Sequence, residues 1–243
     1  MIARLYAEKI QVIVPERSTN ILFETTVKFQ AEEFVVVLGH NGSGKSTLIK
    51  VLSGEIKPSF GRVLIDDTEM HNMPSSRRAQ EIITLAQKAD DRLFLDLTLE
   101  ENIILWESRF PKQKQLSFEQ IMALTIAPKR FLLLRKQQLR NLSGGEKQSI
   151  LLSLALAHPP KILFLDEHTA SLDPKASREI MAATNIAILD NKITTIMVTH
   201  NLEDALNYGN RLIIMNEGKL VVDQKKSTSL GKQELKEMME NIG

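Results

Sequence analysis

Gly39-His40-Asn41-Gly42-Ser43-Gly44-Lys45-Ser46-Thr47 decides the fold. The stretch follows the spelling G-x-x-x-x-G-K-[ST], a loop that wraps a nucleotide's phosphates. The physics sets the spelling. Gly42 and Gly44 let the backbone turn several N–H groups inward onto one anion. Lys45 adds a positive charge that reaches the terminal phosphates, and Ser46 offers a hydroxyl to Mg²⁺. The flanks agree. Phe34-Val35-Val36-Val37-Leu38 is an apolar run of buried-strand type, and Ser46 to Ser53 reads as a helix whose N-terminus aims at the phosphates. Gly54 is the expected helix stop. The loop alone specifies a nucleotide binder, since kinases, GTPases and transport ATPases all carry it.

The chain has 243 residues, 43% hydrophobic and 25% charged, the proportions of a globular protein of one large or two small domains. A net charge of +1 gives no electrostatic case for nucleic acid or an acidic membrane surface. The absence of cysteine removes disulfides and thiolate zinc sites and fits a reducing compartment. Met1-Ile2-Ala3-Arg4 opens without the apolar core of a signal peptide. No run approaches the ~18 apolar residues that span a bilayer; Ile150 to Ala157 has the size of a core helix. Work at a membrane would need another subunit as anchor.

Leu5 to Val14 and Ile21 to Phe29 carry strand patterns around a polar turn, Pro15 to Asn20. Residues 61–67 and 82–86 read as further strands, the second ending at Gln87. From about Asp90 to Arg140 the texture becomes helical, with capping boxes at Thr98-Leu99-Glu100-Glu101 and Ser117-Phe118-Glu119-Gln120 and with Pro111 and Pro128 as punctuation. The α/β pattern then resumes: helix over 145–157 stopped by Pro159-Pro160, strand over 161–165, helix over 176–189, strand over 193–198. Strands alternating with helices imply parallel pairing with both faces covered. The polar tail from Lys225 ends in a helix with Leu235, Met238, Met239 and Ile242 on one face, a stripe expected to dock on the chain's own core ahead of a partner contact.

Three buried-type strands end in reactive groups: the first at the loop, Ile162-Leu163-Phe164-Leu165 at Asp166-Glu167, and Thr194-Thr195-Ile196-Met197-Val198 at Thr199-His200. Ligands of open parallel sheets sit at the carboxyl ends of the strands. One sheet would therefore gather Lys45, Ser46, Asp166, Glu167 and His200 at a single edge. Asp166 is costly at the end of a hydrophobic strand unless paired, and a hydrated Mg²⁺ would pair it. Glu167 can face the γ-phosphate and orient or deprotonate a water. His200 can donate to the γ-phosphate or to that water. His40, His71 and His158 have no metal-site spacing.

Leu142-Ser143-Gly144-Gly145-Glu146 is the second motif, a serine and two glycines opening a helix whose N-terminus is partly positive. With it, between the phosphate loop and the Leu163-Phe164-Leu165-Asp166-Glu167 strand end, the sequence resembles the nucleotide-binding subunit of the ATP-binding cassette (ABC) family from about residue 4 to 222. The resemblance implies an α/β P-loop NTPase with a parallel-rich core sheet, an N-terminal antiparallel β-subdomain and an inserted helical subdomain. One ABC domain would cover 1–243: a nucleotide-binding core over 1–87 and 142–224, a helical signature subdomain over 88–141, and a tail helix over 225–243. It implies an ATPase with ATP and Mg²⁺ as ligand and cofactor. Gly39, His40, Asn41, Gly42, Ser43, Gly44, Lys45, Ser46, Thr47 and Gln87 would bind nucleotide, Ser46, Gln87 and Asp166 the metal, and Glu167, His200 and Lys45 would be catalytic. Leu142, Ser143, Gly144, Gly145 and Glu146 would close on the ATP of a second cassette packed head to tail, a homodimer or a paired cassette. Asp173, in Ser171-Leu172-Asp173-Pro174, would communicate across that dimer. The helical insert and the Gln87 loop would form a groove for a coupling helix of a transmembrane permease, and Leu93, Phe94, Leu95 and Leu97 suit it or the core of the insert.

The resemblance further implies a position at the cytoplasmic side of the plasma membrane, peripheral through the permease, with import likelier than export and an extracytoplasmic solute-binding protein in the same system. Asp166-Glu167-His168-Thr169 resembles bacterial uptake ATPases for small organic solutes such as amino acids. Three residues depart from the family. No aromatic stands in the window Gln11 to Glu16, where adenine is usually stacked, so the platform is the aliphatic Val14 or is supplied by Tyr6. His168 replaces a common proline. Glu146 replaces a commoner glutamine and is expected to be silent. An assembly ATPase of iron–sulfur type stays open on length, and a lipid-export subunit stays open because lipid-export complexes also use separate ATPase subunits. The DNA-repair relatives need a long coiled coil, and the translation-factor relatives need two cassettes.

Overall fold

The computed structural model describes residues 4–14, 19–227 and 230–240. In chain order these hold β1 (Leu5–Val14), β2 (Thr19–Phe29), β3 (Phe34–Gly39), α1 (Lys45–Leu52), β4 (Phe60–Ile65), β5 (Thr68–Glu69), α2 (Ser75–Glu81) and β6 (Ile82–Leu85). The helical stretch follows, with α3 (Leu99–Glu107), α4 (Phe118–Met122) and α5 (Pro128–Leu133). The chain returns through α6 (Gly144–Ala157), β7 (Ile162–Asp166), α7 (Pro174–Asp190), β8 (Thr194–Val198), α8 (Leu202–Asn207), β9 (Arg211–Asn216), β10 (Lys219–Lys225) and α9 (Lys232–Glu240).

Two sheets result. One is antiparallel with order β2-β1-β4-β5; the other has order β10-β9-β3-β8-β7-β6 and is parallel except for the β9–β10 hairpin. Successive side chains on a strand point to opposite faces. Along β3, Phe34, Val36 and Leu38 join Leu163, Leu165, Met197, Leu212 and Ile214 in one core, against α6, α7 and the helical stretch. Val35 and Val37 join Phe164, Ile196, Val198, Ile213 and Met215 in a second core, against α1 and the inner face of the antiparallel sheet, Leu5, Ala7, Ile10, Leu22 and Phe29. Cover on both faces is why β3, β7 and β8 read as unbroken apolar runs.

The strand expected over 61–67 stops at Ile65, because Asp66 and Asp67 take φ of 44° and 64° and form the two-residue turn into β5. The β9–β10 hairpin and α8 lie beyond the last strand that the sequence pattern gave, and α2, just before β6, is not read from it either. The helical stretch is tied at its base, where Thr98 bridges Gln138 and Leu99 N–H donates to the Gln137 carbonyl. Both anticipated capping boxes are present, at Thr98 and at Ser117. Leu235 of α9 is fully buried in the first core, with Met238 and Met239 packed against it; Ile242 falls outside the described residues. Among the described residues no helix is long and apolar enough to cross a membrane.

Candidate functional site

β3, β8 and β7 are adjacent and parallel, so their carboxyl ends form one edge. β3 leaves that edge through His40–Gly44, and Gly44 takes φ +98° where an added Cβ would stand 3.1 Å from the Ile21 carbonyl oxygen and 3.3 Å from Gly218 Cα. Glycine is what lets the loop pass so close to β2 and to the β9–β10 turn. Lys45, buried at the start of α1, donates from Nζ to the carbonyl oxygens of Gly39 (2.8 Å) and His40 (2.9 Å), folding its ammonium back over the loop. Burial holds that ammonium below the usual lysine range, against the pull of Glu167 and Asp166. Ser43 is buried with its hydroxyl unpartnered, while His40, Asn41, Gly42 and Ser46 are exposed and Thr47 is half-buried.

β7 delivers the two carboxylates. Burial pushes the Asp166 carboxyl up, and repulsion from Glu167 adds to it, with Lys50 and Lys45 pulling the other way. Glu167 sits at φ +47°, outside the strand conformation, with its N–H on the Val198 carbonyl (3.0 Å). That turn swings its carboxylate out of the sheet to His200, whose Nδ1 lies 3.1 Å from Glu167 Oε1. A cleft of about 370 Å³ is lined by Gly42, Gly44, Lys45, Ser46, Thr47, Gln87, Asp166 and Glu167 together with Ile21. A larger one of about 840 Å³, lined by His40, Asn41, Gln87, Glu167 and His200, adjoins it, and Lys236, Met239 and Glu240 of α9 form its far wall. Asn41, Gln87 and Glu167 line both.

Among the described residues no three His, Cys, Asp or Glu side chains cluster as a cation cage. One carboxylate, Asp166, beside the Ser46 hydroxyl and the Gln87 amide is instead the sparse oxygen set that suits a Mg²⁺ held jointly with phosphates.

Leu142, Ser143, Gly144, Gly145 and Glu146 are not at this edge. Leu142 is buried in the first core. The others line a separate cleft of about 350 Å³ with Arg130, Leu172 and Asp173, and it shares no lining residue with the two clefts at the sheet edge. Ser143 caps α6 and Glu146 completes the capping box. Asp173 caps α7 by accepting from Lys175 and Ala176 N–H, both at 3.0 Å. Its neighbour Ser171 donates to the Gln87 carbonyl (3.1 Å), which links the loop after β7 to the loop after β6.

Of the two sources considered for a base platform, Tyr6 lies far from the phosphate-loop cleft. It pairs with Lys28, seven residues along β2 from Ile21, or roughly 23 Å at strand rise. Its ring lies under the Lys28 ammonium, 4.7 Å from the ring centre. The Val14 side chain is outside the described residues. Ile21, Arg130 and the α9 residues are lining groups that motif spelling gave no means to find, because each arrives from an element remote in sequence. Leu93 is buried and Leu95 packs on the core, which leaves Phe94 as the exposed apolar side chain beside Gln87.

A parallel sheet with a glycine-rich loop, a lysine and paired carboxylates at one edge defines a P-loop nucleotide hydrolase of mixed α/β type. The chain belongs to the ABC transporter family, whose family model matches residues 22–170, and is an ATP-binding, ATP-hydrolysing subunit of that kind. It is 36% identical over 221 residues to a tyrosine transport ATP-binding protein of Clostridioides difficile, covering 87% of each chain. It is 32% identical to the energy-coupling factor transporter ATP-binding protein EcfA2 of Clostridium tetani, over 82% of this chain and 70% of that one. Its fold matches that of cbiO1 from Clostridium perfringens, part of the ABC transporter complex cbiONQ, with a TM-score of 0.78, 24% identity and coverage of 99% and 96%. It also matches a bacterial ABC transporter cassette solved as a dimer, with a TM-score of 0.78, 24% identity and coverage of 91% and 98%.

Proposed function

We propose that two copies of this chain, or this chain and a paired cassette, bind two ATP molecules between them, and that their closing and reopening drives a membrane permease importing a small organic solute. The observation that carries this reading is the division of labour between clefts. Lys45, Ser46, Asp166, Glu167 and His200 share one edge, while Ser143, Gly144 and Gly145 open a cleft with no lining residue in common with it. A serine–glycine helix start is suited to a phosphate, and within one chain it has none to bind.

At each composite site the backbone N–H groups of 39–44 would cradle the phosphates. Lys45 would leave the Gly39 and His40 carbonyls for the β- and γ-phosphates. Ser46, Gln87 and Asp166 would hold Mg²⁺, which neutralises phosphate charge when bound. Glu167 would take the proton of the attacking water, and His200, already 3.1 Å from it, would hold that water and the γ-phosphate in line. The Ser171–Gln87 link would carry the closed state from the Asp173 loop to the loop that faces the permease.

For the permease contact the best-supported surface is a cleft of about 370 Å³ between α2, β6 and α3, lined by Arg78, Arg92, Trp106 and Arg109, with exposed Phe94 and Ile104 nearby in sequence on the helical stretch. The tyrosine-transport relative supports an amino acid as the cargo; the import reading would add a solute-binding protein as a further partner and a location on the cytoplasmic face of the membrane. The EcfA relatives favour a second reading, in which the chain energises a transporter of the energy-coupling factor kind.

The test is Glu167→Gln. Mg·ATP affinity by calorimetry should persist, turnover should fall about 100-fold or more, and a dimer should accumulate with ATP on a sizing column. Hydrolysis at the wild-type rate would remove Glu167 from the role of base.

A further inference from the structure

The signature cleft contains a resident anion. Glu146 Oε2 accepts from the Ser143 backbone N–H (2.9 Å) and from the Ser143 hydroxyl (2.9 Å). The second contact fixes where the hydroxyl hydrogen goes. An ionised carboxylate can only accept, so the single hydrogen of Ser143 is committed to Glu146. Burial alone would raise the Glu146 pKa, but the bonds from Ser143 and Arg130 outweigh it and hold the carboxyl below its usual range. The other carboxylate oxygen, Oε1, is gripped by Arg130 at 2.6 Å. Arg130 belongs to α5, sixteen residues upstream, and its side chain is 66% exposed on the wall of the same cleft as Ser143, Gly144 and Gly145.

A phosphate arriving at this helix start wants the same donors. It competes with Glu146 for the Ser143 hydrogen, and it is repelled by the carboxylate unless a cation offsets the charge. We propose that Glu146 and Arg130 are positioning residues for the partner's γ-phosphate: Glu146 occupies the Ser143 hydroxyl until that phosphate replaces it, and Arg130 neutralises Glu146 so that the phosphate can approach. The proposal rests on the paired-chain reading above and deepens it. It also gives the Glu-for-Gln departure a consequence. A glutamine closes the same capping box, but its neutral oxygen holds the hydroxyl about half as strongly and gives Arg130 nothing to pair with.

The test is steady-state Mg·ATP hydrolysis by the full chain as wild type, E146Q, R130A, R130K and E146Q/R130A. E146Q should lower the KM for ATP and R130A should raise it, each by about threefold or more. The R130A penalty should fall on KM more than on kcat and should shrink as salt rises. R130K, which keeps the charge, should stay near wild type. In the E146Q background the R130A penalty should largely vanish, because the charge that Arg130 offsets is gone. A purely structural role for Arg130 would give the same penalty in both backgrounds and no rescue by lysine, and either result overturns the proposal. So does an E146Q protein with a raised KM. If the wild-type chain itself fails to hydrolyse Mg·ATP, the paired-chain reading falls together with this one; an active wild type with an additive cycle sinks this one alone.

Discussion

Glu167 and His168 are neighbours with opposite surroundings. Glu167 is bent to φ +47° so that its carboxylate leaves the strand, a strain on the order of 1–3 kcal/mol that functional positions often carry. His168 turns inward, only 2% exposed with Nε2 unpartnered, and burial pushes its imidazole down to about 4. The unfolded chain titrates this histidine near 6.5. Between pH 6.5 and 4 the unfolded chain takes up a proton that the folded chain refuses. The stability contribution is therefore complete above pH 6.5 and is lost progressively toward pH 4, by roughly 3 kcal/mol in all. Urea unfolding at pH 7 and at pH 4.5 should show a smaller acid loss for His168→Asn than for wild type. The paired carboxylates titrate in both proteins and drop out of the difference. Equal losses would mean that His168 is not held neutral. The placement of Asp166-Glu167 in a cleft at the sheet edge is legible in sequence because a carboxylate that ends an apolar strand needs a partner. The burial of His168 is not, because it is set by packing of elements far away along the chain.

Among the elements that sequence pattern identified are those with both faces buried, β3, β7 and β8, and those with explicit caps, α3 and α4. The β9–β10 hairpin escaped because β10 is an edge strand, exposed or half-buried along its whole length and carrying Lys219, Asp223 and Lys225. Yet this hairpin fixes the phosphate loop. Its turn has Glu217 at φ 44° and Gly218 at φ 77°, the two-residue hairpin geometry. Gly218 N–H donates to the Ser43 carbonyl (3.0 Å), and the Gly218 carbonyl accepts from Phe23 N–H (2.9 Å). One residue thus joins the loop to β2, and a Cβ there would stand 2.4 Å from the Ile21 carbonyl oxygen. Gly218→Ala should destabilise the fold by about 2 kcal/mol or more. It should also weaken ATP binding several-fold at temperatures where the protein remains folded, read by thermal melts and a fluorescent-nucleotide titration. Unchanged affinity in a folded variant would show that the hairpin supports the core and not the loop.

At the scale of the molecule, the α/β core brings Lys45, Ser46, Asp166, Glu167 and His200 to one edge and leaves Ser143, Gly144 and Gly145 in a cleft apart from it. The edge follows from three parallel strands in the order β3-β8-β7, which motif order and strand type made legible. The separation of the Ser143 cleft from that edge is implied only by the family resemblance, because spacing along the chain says nothing of which side of the sheet α6 begins on. Two inactive chains should then repair one another. Lys45→Ala spoils the phosphate loop and keeps the signature; Ser143→Arg spoils the signature and keeps the loop. In a mixed pair, the intact loop of one chain meets the intact signature of the other, and the remaining site is doubly broken. Random pairing makes half of the dimers mixed, each with one working site of two, so an equal mixture should recover at most about a quarter of wild-type hydrolysis from components with almost none. Each variant must first elute and melt as a folded protein. If two folded, inactive chains stay inactive after mixing with ATP, the serine–glycine helix start does not act across the pair, and the separation of the clefts is a matter of packing alone.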